Sequence, residues 1–187
     1  SERARAAGSE ERRQATGWDA ETVERAAERL QRATEIVRGR GLDAALHPHA
    51  ATHVESEAET EQMLERTDIG LCIDTGHTVV GGGDPVALAK RYAARLRHVH
   101  LKDVDGALLD RLASGEVDMD EVWPLGIFCE FGAGVVPIGD FLALDEVRSL
   151  DGYGVIEQDR VAVTVADMPT VRASDERNRA RVQAWLQ

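Results

Sequence analysis

Short apolar runs alternate with amphipathic helical stretches along this chain, and that alternation restricts its fold more than any other feature. Residues 42–47, 69–73, 97–101 and 153–156 read as strands. Between and around them, 19–38 places Val23, Ala26, Ala27, Leu30, Ala33, Ile36 and Val37 at helical spacing. Asp19 or Thr22 caps that helix, and Gly39 and Gly41 stop it. Helix 56–65 opens on a capping box, Ser56 with Glu59. Helix 85–96 begins on Pro85, and 138–150 and 174–186 complete the set. The stretch from 104 to 123 is polar and partly helical. Strands that alternate with helices pair in parallel through right-handed crossovers. The expectation is therefore an α/β chain of one domain over 1–187. In it, 19–187 form β/α units and 1–18 are irregular or a frayed helix.

Charge narrows the partners. Acidic residues number 34 against 22 basic ones, a net charge of −12, and aromatics are only 4% of the chain. Such a surface repels phosphate backbones and anionic lipid, so neither nucleic acid nor membrane is expected as a partner. No apolar run approaches the ~20 residues that span a bilayer. The charged opening, 1–13, does not read as a signal peptide. Cys72 and Cys129 sit in apolar stretches without metal-type spacing. They read as buried, reduced thiols of a cytoplasmic protein, with no thiolate placed to ligate a metal.

All six histidines fall between His47 and His100. His47, His49, His77, His98 and His100 lie in or just after strands, and Asp74, Lys102, Asp103 and Glu157 lie at strand ends. Ligand sites of parallel α/β proteins form at the carboxyl ends of strands. Residues two apart on a strand share a face, so His98, His100 and Lys102 point one way, and His47 and His49 share a face if the strand crosses Pro48. Asp74, His100, Glu157 and one of the His47/His49 pair can then meet on one cation. Mixed imidazole and carboxylate donors suit Mn²⁺, Co²⁺, Fe²⁺ or Zn²⁺ better than Ca²⁺. His53 reads as a solvated loop residue, and the acidic run 55–65 as a solvated helix face.

At these same residues the chain resembles a known family. His47-Pro-His-Ala-Ala-Thr-His-Val-Glu55, Asp74-Thr-Gly-His77, His98-Val-His-Leu-Lys-Asp103 and Val155-Ile-Glu-Gln-Asp159 resemble successive strand-end motifs of the xylose-isomerase-like sugar isomerase/epimerase barrels. The wording is nearest to inosose (2-keto-myo-inositol) dehydratases. The resemblance runs from about residue 19 to the end. It implies the C-terminal half, about four β/α units, of a (β/α)₈ TIM barrel, since a whole barrel takes eight strands and ~250 residues. It also implies one divalent cation, Mn²⁺ or Co²⁺ first, with Mg²⁺, Fe²⁺ or Zn²⁺ as alternatives. Asp74, His100 and Glu157 take three ligand places. In the first place, usually a Glu, stands His47, with His49 at the motif's His. His77, His98, Lys102 and Asp103 fall where family members contact substrate.

The implied chemistry removes a proton next to the carbonyl of a small polyhydroxylated ketone. Glu157 is the candidate base, with His49 and His77 as rivals. Protonation of a departing hydroxyl by His98 or Lys102 gives a dehydratase, and return of the proton elsewhere gives an isomerase or epimerase. A phosphodiesterase of the AP-endonuclease type shares the superfamily, but the acidic charge opposes it. A non-catalytic remnant is the reading from another class. Four strands leave two open sheet edges, so a homo-oligomer or an N-terminal half-barrel is the expected partner, and little turnover is expected without one.

Overall fold

The computed structural model describes residues 19–161 and 164–187, so the expected irregular stretch over 1–18 lies outside the described residues. Helix α1, Ala20–Arg38, starts where Asp19 accepts a bond from the Thr22 N–H. Strand β1 is only Ala45–Leu46. The expected strand, 42–47, is cut short for two reasons. Leu42 is 66% exposed, and Pro48, which has no N–H, ends the ladder. Helix α2, Glu57–Arg66, opens on the Ser56/Glu59 capping box. Val23 and Ala27 of α1 pack against Met63 of α2 in a small outer cluster.

Strand β2, Gly70–Asp74, passes directly into α3, Thr75–Val80. Helix α4, Pro85–Arg91, leads through a short 3₁₀ turn to β3, Leu96–Leu101. The Arg95 guanidinium ties this region together, donating to the carbonyls of Leu64, Thr67 and Ile69. Next comes a two-stranded antiparallel ribbon of β4, Asp103–Val104, and β5, Phe128–Cys129, that the polar pattern of this stretch did not announce. Between its strands lie α5, Gly106–Ser114, and α6, Met119–Val122. The single helix expected over 138–150 is two, α7, Ile138–Leu142, and α8, Asp145–Arg148. Leu144 is extended (φ −65°, ψ 136°), which interrupts the helix while Phe141, Leu142 and Val147 all stay buried. After β6, Gly154–Ile156, the final helix α9 spans Met168–Trp185, starting earlier than the pattern suggested.

The main sheet has the order β1-β2-β3-β6, every pair parallel. Alternation along its strands separates two faces. Leu71, Ile73, Val99 and Leu101 are buried in the core with Leu88, Ala89, Phe141 and Val147. Each of these side chains other than Ala89 contributes ~1.5–3 kcal/mol by burial, which decides the face turned to the helices. Cys72, Asp74, His98, His100 and Lys102 therefore take the other face. Among the described residues β1 and β6 are open edges, flanked by the exposed Leu42 and by Tyr153, which is 88% exposed.

Candidate metal and proton-transfer site

Register builds the site. Asp74 lies beside His100, and Leu101 lies beside Ile156, which brings Glu157 level with Lys102. The Glu157 N–H donates to the Leu101 carbonyl, extending the pairing by one step. Past Glu157, Gln158 turns the opposite way, its amide 2.7 Å from Ser174 and 3.1 Å from Asn178 of α9. That anchor leaves Glu157 and Asp159 on one side, facing the histidines.

Four donor atoms converge. His47 Nε2 is 3.6 Å from Asp74 Oδ2, His100 Nδ1 is 3.8 Å from the same oxygen, and His100 Nδ1 is 3.2 Å from Glu157 Oε2. Ligands bound at ~2.0–2.2 Å to one cation stand about 3–4.4 Å apart, depending on the angle between them, so each of these separations suits a shared ion. Asp74, His100 and Glu157 each offer one ligand atom, and these three lie within 4.8 Å of one another. His47 Nε2 is buried and makes no hydrogen bond among the described residues, and the buried Asp74 Oδ2 has the Lys102 ammonium beside it, 3.2 Å away. At 3.6 Å the approach of His47 Nε2 to Asp74 Oδ2 is too long for a hydrogen bond. Charge points the same way. Asp74, Glu157 and Asp159 carry three negative charges against one on Lys102, leaving two that a divalent cation balances when the imidazoles are neutral.

Lys102 stands at the centre although only 1% of it is exposed. Its Nζ lies 3.2 Å from Asp74 Oδ2, 3.0 Å from Glu157 Oε2, and donates to Asp159 Oδ2 at 3.0 Å and to His77 Nε2 at 3.0 Å. The Phe128 ring lies beneath it, 4.9 Å from Nζ to the centroid. Burial works against its charge, but Asp74 and Asp159 outweigh burial and raise its pKa. Burial would raise Asp74; His47, His77, Lys102 and the His77 N–H overcome it and hold the carboxyl well below its ordinary range. Burial also opposes the charge on Glu157, and Lys102 and His100 bring its pKa down. His77 is pushed down to about 2, chiefly by burial against the pull of Asp74, so it is a neutral imidazole at ordinary pH. Burial, then His100 and His47, lowers His98.

Not every expected residue joins this centre. His49 reaches it from the loop after β1, its Nδ1 donating to the Ala50 carbonyl and its ring 3.6 Å from that of His77. His98 sits one strand step back from the rim, its ring 5.1 Å from that of His100. Asp103 has a different task from the expected substrate contact. Its carboxylate is buried and accepts from the N–H groups of Val104, Gly132, Gly134 and Val136. Being one residue beyond Lys102, it points to the opposite face. Glu55 also departs from expectation: it is buried rather than solvated, accepting from the Ala51 N–H. The carbonyl of Glu55 approaches Gly81 so closely that a β-carbon there would lie 2.5 Å from it. His53 is exposed, as expected.

Three contributions escaped the pattern. Cys72 is placed where a thiol can help after all, its Sγ within 4.8 Å of ligand atoms of His47 and His100. It is two residues before Asp74, and that spacing was its only signal. Burial raises its pKa to about 12, so it is a thiol in this state. Asp159, two residues after Glu157, carried the same kind of signal. Trp123 and Phe128 form an aromatic wall against His49 and His77, which only the ribbon's path reveals. Both cysteines are free, and no described helix is long and apolar enough to cross a membrane.

The model of one protein family, described as xylose isomerase-like TIM barrel, matches residues 4–177. Inosose dehydratase 2 of Bacillus cereus is 29% identical over 143 residues, 75% of this chain and 48% of that protein. The inosose dehydratase of Geobacillus kaustophilus is 34% identical over 134 residues, 70% of this chain and 44% of that protein. The chain spans about half the length of the curated relatives it matches. Among solved structures, the IolI protein with a bound zinc atom superposes with a TM-score of 0.66 at 16% identity, over 91% of this chain and 59% of that one.

Proposed function

Since the chain belongs to the xylose isomerase-like TIM-barrel family, we propose that it supplies the metal-holding and proton-transfer half of an enzyme that dehydrates a cyclic keto-polyol, as the inosose dehydratases it resembles do. The observation that carries this reading is the convergence of Asp74, His100 and Glu157, with His47 Nε2 3.6 Å from Asp74, in a cluster two negative charges in excess. Those four residues would hold the cation. When bound, a divalent cation polarises a ketone oxygen and makes the neighbouring C–H more acidic.

Side chains do the rest. Glu157 lies at the rim, about a third exposed, and a carboxylate has two oxygens, so Oε1 is left to take the proton from carbon. His77 is fully buried with Nε2 engaged by Lys102, which favours Glu157 as base and leaves His49 as its rival. Lys102 gives a proton to the departing hydroxyl as the C–O bond breaks, so one water leaves. The proton on Glu157 then returns to Lys102 across their 3.0 Å contact, restoring both groups. His98, a step behind the rim, is less well placed as donor. Trp123 and Phe128 offer an apolar wall to a ring's C–H face and keep water from the ammonium.

The test is incubation with an inosose in deuterated water, with and without chelator, on the chain alone and joined behind the N-terminal half of an inosose dehydratase. Expected are metal-dependent deuterium exchange and loss of one water, weak in the chain alone and strong in the joined form. Glu157→Gln is expected to lower both by roughly 100-fold or more. Exchange indifferent to chelator and to Glu157→Gln defeats the reading. An isomeric product without water loss moves the assignment to the isomerase and epimerase branch.

A further inference from the structure

A second set of donors adjoins the first. His49, His77 and Asp159 offer ligand atoms that all lie within 4.8 Å of one another. They come from the loop after β1, from α3 and from the segment after β6. The side chain between the two sets is Lys102. Its Nζ touches Asp74 and Glu157 on one side, and His77 and Asp159 on the other. An ammonium can only donate, and each of these four atoms is an acceptor.

The chain is shaped to hold that ammonium in place. Thr75 Oγ1 donates to the Lys102 carbonyl at 2.8 Å and accepts from the Lys102 N–H at 2.9 Å, clamping the base of the side chain. Gly76 leaves room for the stem; a β-carbon there would lie 2.8 Å from both Cβ and Cγ of Lys102. A lysine this deeply buried is rare without such pairing.

Geometry sets the ammonium against a second metal ion. His77 Nε2 and Asp159 Oδ2 are 3.9 Å apart. An ion bonded to both at ~2.0–2.2 Å lies within about 1 Å of their midpoint. Nζ, 3.0 Å from each, lies about 2.3 Å from that midpoint, so such an ion stands no more than about 3.3 Å from the ammonium, where two positive centres repel with no water between them. We propose that Lys102 is a tethered cation that keeps a second divalent-metal site, His49–His77–Asp159, closed, so that loss of its charge turns a one-metal centre into a two-metal one. Two imidazoles and one carboxylate suit Zn²⁺ or Co²⁺. This rests on the reading above, that the first set takes one ion.

The experiment measures bound Co²⁺ per chain after dialysis, by elemental analysis and visible absorption, in the full chain. Wild type is expected to hold one ion, Lys102→Met two, and Lys102→Met with Asp159→Asn one. One ion in both wild type and Lys102→Met overturns the inference and leaves the first site standing, and two in wild type overturns it as well. No ion in wild type defeats the first site; the second then stands or falls on whether Lys102→Met gains an ion that Asp159→Asn removes. Circular dichroism checks folding, and Lys102→Gln replaces the methionine variant if that one unfolds. If both unfold, Asp159→Asn alone must leave wild-type stoichiometry at one, and loss of the ion there overturns the assignment of Asp159 to the second set.

Discussion

Replacing Asp103 tests whether this buried carboxylate organises the loop behind the site. Its Oδ1 accepts from Val104 and Val136, and its Oδ2 from Gly132 and Gly134, at 2.8 to 3.1 Å. The bonds from Val104 and Val136 are buried, whereas those from the two glycines are partly buried and open to replacement by water. At ~1.5–2 kcal/mol for each buried charge-assisted bond and ~0.5 for each partly buried one, Asp103→Ala costs about 4 kcal/mol. Asp103→Asn keeps one oxygen but turns an NH₂ against two donors, and costs about 3 kcal/mol by the same values. Domains of this kind hold only ~5–15 kcal/mol in all, so either change moves the urea midpoint far. Tryptophan fluorescence follows the unfolding, with Trp123 and Trp185 as internal probes. Gly134 adds a check, because a β-carbon there would lie 2.3 Å from Asp103 Oδ1; Gly134→Ala is expected to destabilise in the same direction. A loss below about 1 kcal/mol in Asp103→Ala, at unchanged denaturant slope, would show that the four bonds do not hold the loop.

Three further outcomes are expected. His100→Ala weakens Co²⁺ or Zn²⁺ binding by roughly 100-fold or more, above the effect of losing an outer partner, and calorimetric titration showing unchanged affinity would remove His100 from the ligand set. The metal-free protein loses stability in acid through His77, because its native pKa of about 2 lies below the ordinary 6.5 and the unfolded chain binds the extra proton between those values. From pH 6.5 to 5 that loss is about 1.6 kcal/mol, and it vanishes in His77→Gln; equal urea midpoints for wild type at the two pH values contradict it. Gly76→Ala costs ~1–3 kcal/mol through collision with the Lys102 stem. Because alanine in a helix otherwise gains ~0.5–1 kcal/mol over glycine, a raised Tm would show that the stem does not pass there.

The chain's local periodicities carried the layout. Short apolar runs marked β2, β3 and β6, helical spacing with Asp19 and Ser56 marked α1 and α2, and spacing by two set His98, His100 and Lys102 on one face. Each of these is a property of neighbours along the backbone, so sequence alone determines it. The resemblance of four strand-end motifs supplied the barrel and the family. Which atoms meet was decided only in three dimensions. Asp103, adjacent to Lys102, turns to the opposite face because strand residues alternate, and the loop at 132–136 wraps its carboxylate. Glu55 is buried because Gly81 lets its backbone approach. Cys72 faces His47 and His100 because β1 and β3 both lie beside β2. Asp159 reaches Lys102 because α9 anchors Gln158 between it and Glu157. Each of these depends on segments distant in sequence closing on one another, and such contacts are set by the packing of the whole sheet and its helices rather than by any local pattern.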